Sequence, residues 1–135
     1  MLKVLIAEDD VMMADLLEEV LTQHGYEVVG IARTVAEAVA LGLRHKPDLA
    51  VLDIHLAEGG LGTDIVVRLH DAKLGVLYAT GHPEGLTAAN GHVCLLKPYR
   101  YDDLLRGLEV VGDILSTGKA RPPLPRALSV LRPTA

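Results

Sequence analysis

Five short runs of apolar residues recur along the 135-residue chain, and they constrain its fold more than any other feature. They are KVLIA at 3–7, EVVGI at 27–31, DLAVL at 48–52, GVLYA at 75–79 and HVCLL at 92–96. Their near-continuous hydrophobicity predicts strands that are buried on both faces, as in a parallel sheet. Helical patterns lie between them. The sequence therefore predicts an α/β fold with right-handed crossovers and a doubly wound, five-stranded parallel sheet that has helices on both faces.

Four segments have the apolar spacing of amphipathic helices, and they are 12–21, 35–45, 62–71 and 104–115. Asp10 precedes the first helix and suits the role of N-cap better than that of a metal ligand. Thr34 followed by Glu37 has the spacing of a capping box, which predicts the start of the second helix. The segment PEGLTAAN at 83–90 is a poor helix candidate, because it has an internal glycine and no apolar stripe.

The composition indicates one aliphatic domain over residues 1–117. Half of the residues are hydrophobic, yet the chain has no Trp and no Phe. The net charge of −5 argues against nucleic acid as the main partner. The single cysteine, Cys94, excludes an internal disulfide and fits a reducing compartment. No apolar stretch approaches the length of a membrane span, so we expect a cytoplasmic protein without membrane contact.

Residues 118–135 differ from the rest of the chain. They contain four of the seven prolines and no acidic residue, and their basic residues are Lys119, Arg121, Arg126 and Arg132. Because proline breaks helices, this segment is predicted to be a flexible Pro/Arg-rich extension, with binding of a partner as the alternative to a solvated tail. We expect no DNA-binding or enzymatic output domain in a chain of this length.

Polar side chains follow the predicted strands at their carboxyl ends. Glu8 and Asp9 follow the first strand, Asp53 follows the third, and Thr80 and Lys97 follow the fourth and fifth. Ligands of open α/β sheets bind beyond this edge. Several carboxylates suit a hard cation such as Mg²⁺, and a lysine with a hydroxyl suits a phosphoryl group. The sequence therefore predicts a site for a cation and a phosphoryl group at this edge.

The segments LIAEDD, LAVLDIHL, YATGHP and LLKPY occur in this order at the four strand ends. Together they resemble the receiver domain of bacterial two-component response regulators, and the resemblance covers residues 1–117. It implies a flavodoxin-like receiver fold with strand order 2-1-3-4-5. It also implies a phosphoacceptor switch, which catalyses only its own phosphorylation and dephosphorylation and is not a conventional enzyme.

The resemblance assigns the metal and phosphoryl positions. Asp53 would accept the phosphoryl group from a histidine kinase or a phosphotransfer protein. Asp9 would bind Mg²⁺ directly, with Mn²⁺ as an alternative ion, and Glu8 would help directly or through water. Asp53 and the backbone carbonyl of His55 would complete the protein ligands.

The remaining family positions concern the response to phosphorylation. Thr80 would hydrogen-bond a phosphoryl oxygen and Lys97 would pair with another, while Lys97–Pro98 would be a cis peptide. Most receivers have an aromatic residue three positions before this lysine, and here that position is Cys94. We interpret Cys94 as a small buried hydrophobic residue, with a redox thiol as the alternative.

The ATG of YATGHP and the KPYRYDDL segment resemble an atypical subclass of receivers. These are often single-domain proteins that work with unusual histidine kinases in alphaproteobacteria, and Tyr78 stands where their motif has Phe. The resemblance implies a stand-alone switch whose output is contact with an unidentified downstream protein. A homodimer is compatible with this reading.

His55 and His82 lie two residues after Asp53 and Thr80, where receivers place side chains that flank the attacking water. We expect them to modulate the lifetime of the phosphorylated state, unless both rings simply face solvent. Two other functions fit the sequence less well. A haloacid-dehalogenase-like phosphatase is disfavoured, because its nucleophile would follow strand one. A phosphorylation-independent binding module is disfavoured, because every ligand position is filled.

Overall fold

The computed structural model describes residues 1–133, which form one six-stranded sheet in the order β2-β1-β3-β4-β5-β6. The strands are β1 (Lys3–Ala7), β2 (Glu27–Ala32), β3 (Leu49–Leu52), β4 (Gly75–Thr80), β5 (Val93–Leu96) and β6 (Leu128–Val130). The helices are α1 (Val11–Gln23), α2 (Val35–His45), α3 (Gly62–Leu69) and α4 (Tyr101–Thr117), with a 3-10 turn at Ala57–Gly59. The first five strands are parallel, and β6 is antiparallel to β5.

The predicted α/β fold and the strand order 2-1-3-4-5 are confirmed. All four helical segments are helices, and residues 83–90 form turns in place of a helix. The predicted caps are also present. The side chain of Asp10 accepts a hydrogen bond from the backbone amide of Met13 at 3.1 Å. Thr34 and Glu37 cap each other's backbone amides at the start of α2.

The core lies on both faces of the sheet, as the alternation within β1 requires. Val4 and Ile6 face one cluster, which includes Leu21 of α1 and Leu104 of α4. Leu5 and Ala7 face the other cluster, which includes Ala38 of α2 and Ile65 of α3. Full burial of one such Leu or Ile side chain contributes about 1.5–3 kcal/mol. The two faces therefore fix the register of β1, because a shift by one residue would exchange them.

The structure differs from the predicted flexible extension in the tail. Leu128–Val130 forms β6 on the edge of β5, and Leu128 is only 6 % exposed. The alternation in ALSVL places apolar side chains against the core, and β5 offers unpaired backbone groups at its edge. Gly118, in the left-handed conformation, ends α4 before the first of these prolines. The prolines lie outside β6 and do not prevent a strand. Residues 134–135 of the predicted extension lie outside the described residues.

Among residues 1–133, every helix is too short or too polar to span a lipid bilayer.

Candidate functional site

The sheet brings the polar residues of four strand ends together. The backbone amide of Asp53 donates a hydrogen bond to the carbonyl of Ala7 at 2.9 Å, which places Asp53 beside the start of the β1–α1 loop. The amide of Lys97 donates to the carbonyl of Thr80 at 2.8 Å. Because β1, β3, β4 and β5 are parallel neighbours, Glu8 and these residues lie at one edge of the sheet.

The centre of the site is a three-residue charge cluster. The Nζ atom of Lys97 lies 2.9 Å from Oε1 of Glu8 and 3.1 Å from Oδ2 of Asp53. The side chains are partly shielded from water, with exposed fractions of 27 % for Lys97, 10 % for Glu8 and 15 % for Asp53. The second carboxylate oxygen of Glu8 accepts a hydrogen bond from the amide of Asp10 at 3.3 Å, which orients Glu8 towards the lysine.

Asp9 adds a further carboxylate to this edge. One carboxylate oxygen from each of Glu8, Asp9 and Asp53 lies within 4.8 Å of the other two. These are hard oxygen donors, which suit Mg²⁺ and also Mn²⁺. The donor set therefore fits a divalent cation, and the ion would separate charges that otherwise repel one another.

Burial and charge oppose each other in this cluster. Burial raises the pKa of Glu8 above its ordinary value, although the hydrogen bond and the charge of Lys97 act in the opposite direction. Burial also disfavours the charged form of Lys97, but the hydrogen bonds and charges of Glu8 and Asp53 outweigh it and raise the pKa of Lys97. The ammonium therefore stays protonated at neutral pH and offsets the mutual repulsion of the carboxylates.

Thr80 is buried, with 1 % exposure, at the end of β4. Its hydroxyl oxygen accepts a hydrogen bond from the backbone amide of His82 at 3.0 Å. A hydroxyl that accepts a bond can still donate its own proton. The hydroxyl of Thr80 therefore keeps a proton to donate, and its hydrogen bond to a phosphoryl oxygen stays a prediction.

The two histidines of the prediction contact each other. The rings of His55 and His82 are exposed and lie edge-on, with centroids 6.1 Å apart and an angle of 73° between their planes. His55 also pairs with Leu61 through an isolated β-bridge, which holds the loop after β3. Their control of the lifetime stays a prediction.

Cys94 and Pro98 occupy the positions that the sequence indicates. Cys94 is buried beside Tyr78 on the neighbouring strand, and burial raises the pKa of its thiol. A buried, protonated thiol is a poor nucleophile, which favours the interpretation of Cys94 as a small hydrophobic residue. The Lys97–Pro98 peptide is cis.

Two features of the site were not predicted. A Cβ atom at Gly62 would lie 2.0 Å from the backbone carbonyl oxygen of Asp53, so only glycine fits there. The glycine-rich GGLG sequence was the available signal. In addition, the rings of Tyr99 and Tyr101 form an edge-on pair next to Lys97, with centroids 5.9 Å apart. Burial, with a smaller effect of Tyr101, raises the pKa of Tyr99 to about 12.

The chain is similar to known regulators over most of its length. It is 34 % identical over 113 residues to the transcriptional regulatory protein PdtaR of Mycobacterium tuberculosis, which covers 80 % of this chain and 55 % of PdtaR. It is 38 % identical over 84 residues to the phyllosphere-induced regulator PhyR of Methylorubrum extorquens, which covers 61 % of this chain and 32 % of PhyR. The chain thus spans about half or less of the length of these relatives.

Solved structures agree with the observed fold. The response regulator PhyR from Brucella abortus superposes with a TM-score of 0.65 at 36 % identity, over 75 % of this chain and 43 % of that one. The receiver domain of a modulated diguanylate cyclase from Desulfovibrio desulfuricans superposes with a TM-score of 0.73 at 28 % identity, over 88 % and 99 %. The response regulator receiver domain family matches residues 4–109. With this match and the strand-end cluster described above, the chain belongs to the response regulator receiver domain family.

Proposed function

We propose that Asp53 accepts a phosphoryl group from a phosphohistidine of a sensor histidine kinase or a phosphotransfer protein. The observation that carries this proposal is the Lys97 ammonium held between Glu8 and Asp53 at 2.9 and 3.1 Å. A cation fixed beside a carboxylate can stabilise the charge that develops on a transferring phosphoryl group. Membership of the receiver family, which consists of signalling switches, supports the same function.

The transfer would be a simple displacement at phosphorus. A carboxylate oxygen of Asp53 attacks the phosphorus atom, and the new P–O bond forms as the P–N bond to the donor histidine breaks. The electron pair of the P–N bond stays on the donor imidazole, which leaves as neutral imidazole when its other ring nitrogen carries a proton. Asp53 becomes an acyl phosphate. Lys97 remains close enough to pair with a phosphoryl oxygen, and the Thr80 hydroxyl can donate to another.

Receiver domains bind Mg²⁺ at an acidic pocket, and here Glu8, Asp9 and Asp53 form such a pocket. We assign Asp9 and Asp53 as direct ligands, Glu8 as a direct or water-mediated ligand, and the backbone carbonyl of His55 as a further ligand. When bound, the ion would neutralise charge on the phosphoryl oxygens. Glu8 has a second task, because it also holds Lys97.

The output would be a change in protein contacts in the cytoplasm. PhyR from Bartonella quintana is described as an anti-anti-sigma factor, so a relative of this chain acts through protein partners. A downstream protein, or a second copy of this chain, would read the phosphorylated surface. His55 and His82 would tune how long that surface persists.

Mg²⁺ should raise the melting temperature of the protein in a concentration-dependent manner. The ion binds only where the three carboxylates are assembled, so it stabilises the folded state. At ten times the dissociation constant the gain is about 1.4 kcal/mol, or roughly 3–6 °C for a domain of this size. Thermal unfolding at increasing Mg²⁺ measures the effect. Asp9→Ala should abolish the shift, while Asp15→Ala, at an exposed position on α1, should retain it. A wild-type melting temperature that does not change in millimolar Mg²⁺ would contradict the metal assignment.

Incubation with acetyl phosphate and Mg²⁺ should add one phosphoryl group to the wild-type protein and none to Asp53→Asn. The amide cannot act as the nucleophile, but it keeps the shape of the side chain. Intact mass spectrometry measures the gain directly. Equal labelling of both proteins would place the phosphoryl group elsewhere, and no labelling of the wild type would refute the proposed function.

A further inference from the structure

The edge of β5 is covered by the C-terminal part of the chain, which we call the strap (residues 121–133). In addition to the antiparallel pairing of β5 with β6, three backbone hydrogen bonds of 2.9 Å hold it. The amide of Leu96 donates to the carbonyl of Ala127, the amide of Leu131 donates to that of His92, and the amide of Ala88 donates to that of Arg132. The strap therefore binds both β5 and the turns of residues 83–90, where a helix is absent.

Side chains anchor the strap on α4. The guanidinium of Arg106 donates to the carbonyls of Pro123, at 2.9 Å, and Arg121. Leu128 lies over Gly107, where an added Cβ would come within 3.0 Å of its Cδ1 atom. The strap thus lies in a groove with three features. The groove has the unpaired backbone groups of the β5 edge, a space above Gly107 that Leu128 fills, and the guanidinium of Arg106. This groove accepts an extended segment in antiparallel orientation.

The strap hydrogen-bonds Leu96, which directly precedes the site residue Lys97. Consecutive amides of Leu96 and Lys97 point to opposite sides, since the first donates to Ala127 of the strap and the second to Thr80 of β4. The side chain of Lys97 contacts Asp53 at 3.1 Å. Leu96 and Lys97 are therefore adjacent residues with different contacts. Leu96 hydrogen-bonds the strap, and the ammonium of Lys97 contacts Asp53.

The ammonium of Lys97 occupies the space beside Oδ2 of Asp53. A phosphoryl group on the Oδ2 side of Asp53 would have to occupy the 3.1 Å between these atoms, where the two are already at hydrogen-bond distance. The ammonium of Lys97 would therefore shift when Asp53 is phosphorylated. Leu96, the adjacent residue, donates its amide to the strap, so a shift that extends to the backbone of this stretch would act on that hydrogen bond.

We propose that phosphorylation of Asp53 weakens the docking of the strap and opens the β5 edge to an extended segment of a partner protein with a leucine at the Leu128 position. The strap is then the resident occupant of the docking groove. This inference rests on the proposed function, because it requires a phosphoryl group at Asp53. By thermodynamic linkage, phosphorylation and strap docking weaken each other by the same factor.

Limited digestion with trypsin tests the inference on the full chain. Proline follows Arg121 and Arg132, so the strap bond open to trypsin is Arg126–Ala127, which adjoins the hydrogen bond to Leu96. Cleavage removes residues 127–135 and is read by mass. The wild-type protein is digested with Mg²⁺, in the presence and absence of excess acetyl phosphate. Asp53→Asn is treated in parallel, and intact mass of each undigested sample reports the extent of phosphorylation.

Phosphorylation should accelerate cleavage at Arg126–Ala127 about five-fold or more in the wild type, and acetyl phosphate should have no effect in Asp53→Asn. A phosphorylated wild type that is cleaved at the unphosphorylated rate, or more slowly, would overturn the inference and leave the proposed function intact. A wild type that gains no phosphoryl group would refute the proposed function, and the inference would fall with it.

A pair of leucine variants tests the docked state independently. Leu128→Ser removes a side chain that is 6 % exposed, whereas Leu124→Ser alters one that is 44 % exposed in the same strap. If Leu128 docks over Gly107, Leu128→Ser should be cleaved rapidly whether or not Asp53 is phosphorylated. Leu124→Ser should be cleaved at the wild-type rate. Cleavage of Leu128→Ser at the wild-type rate would refute this docking. If Leu128→Ser fails to fold, the wild-type comparison still decides the inference.

Discussion

Gly62→Ala is expected to destabilise the protein by about 3 kcal/mol and to impair phosphorylation of Asp53. The new Cβ would lie 2.0 Å from the carbonyl oxygen of Asp53 and 3.4 Å from the Cα of Ile54. These are backbone atoms, so no rotamer change can relieve the clash. The amide of Gly62 also donates to the carbonyl of Ile54 at 2.7 Å, which prevents the start of α3 from moving away.

The matched control is Gly112→Ala in the interior of α4. A Cβ at Gly112 has no heavy atom within 4 Å, so the substitution adds helix propensity without a clash. It should stabilise the protein by about 0.5–1 kcal/mol, opposite in sign to the first variant. Urea denaturation measures both free energies of unfolding. Equal effects of the two substitutions would show that the close approach to Asp53 is not a constraint.

Lys97→Met is expected to separate metal binding from switching. The carboxylates of Glu8 and Asp53 lose their cation, so the free energy of unfolding should fall by about 1–3 kcal/mol in the absence of metal. Mg²⁺ should compensate, and its effect on the melting temperature should be at least as large as in the wild type. Phosphorylation should no longer change the conformation, because no ammonium follows the phosphoryl group.

The raised pKa of Lys97 sets the pH range of this comparison. The stabilisation from its ion pairs is fully present below the ordinary lysine pKa of 10.5 and is lost as the pH rises through the higher folded-state value. The difference between wild type and variant should therefore persist across neutral pH. Lys73→Met, at an exposed loop position, is the control. Two-dimensional NMR before and after phosphorylation measures the conformational change. If the Lys97→Met spectrum changes on phosphorylation as the wild-type spectrum does, Lys97 does not couple phosphorylation to the conformational change.

The sheet and the strand-end residues could be predicted because they depend on local patterns. An apolar run that is too short for a buried helix indicates a strand, and the residue that follows it lies at the carboxyl edge of the sheet. Asp9, Asp53 and Lys97 each follow such a run, so the sequence predicts them at the same edge. Asp10 was separated from them because an aspartate before a helix has an alternative role as its cap, and the structure shows that role.

The strap and Gly62 could not be predicted, because both depend on contacts between distant parts of the chain. β6 has three residues, and its partner β5 lies more than thirty residues earlier. The four prolines were the stronger local signal, and they indicated a flexible tail. Gly62 is required only because the backbone of Asp53 approaches it. Likewise, burial raises the pKa of Glu8, and burial exists only in the folded chain.

The Tyr99–Tyr101 pair gives the protein a built-in optical reporter. The chain has four tyrosines and no tryptophan, so tyrosine dominates its near-ultraviolet absorption and fluorescence. Two of the four form the edge-on pair beside Lys97, and their coupled transitions depend on the relative orientation of the rings. A movement of the loop that carries Lys97 would change this orientation. Near-ultraviolet circular dichroism of the unlabelled protein therefore reports on the segment that connects the phosphoacceptor site to α4.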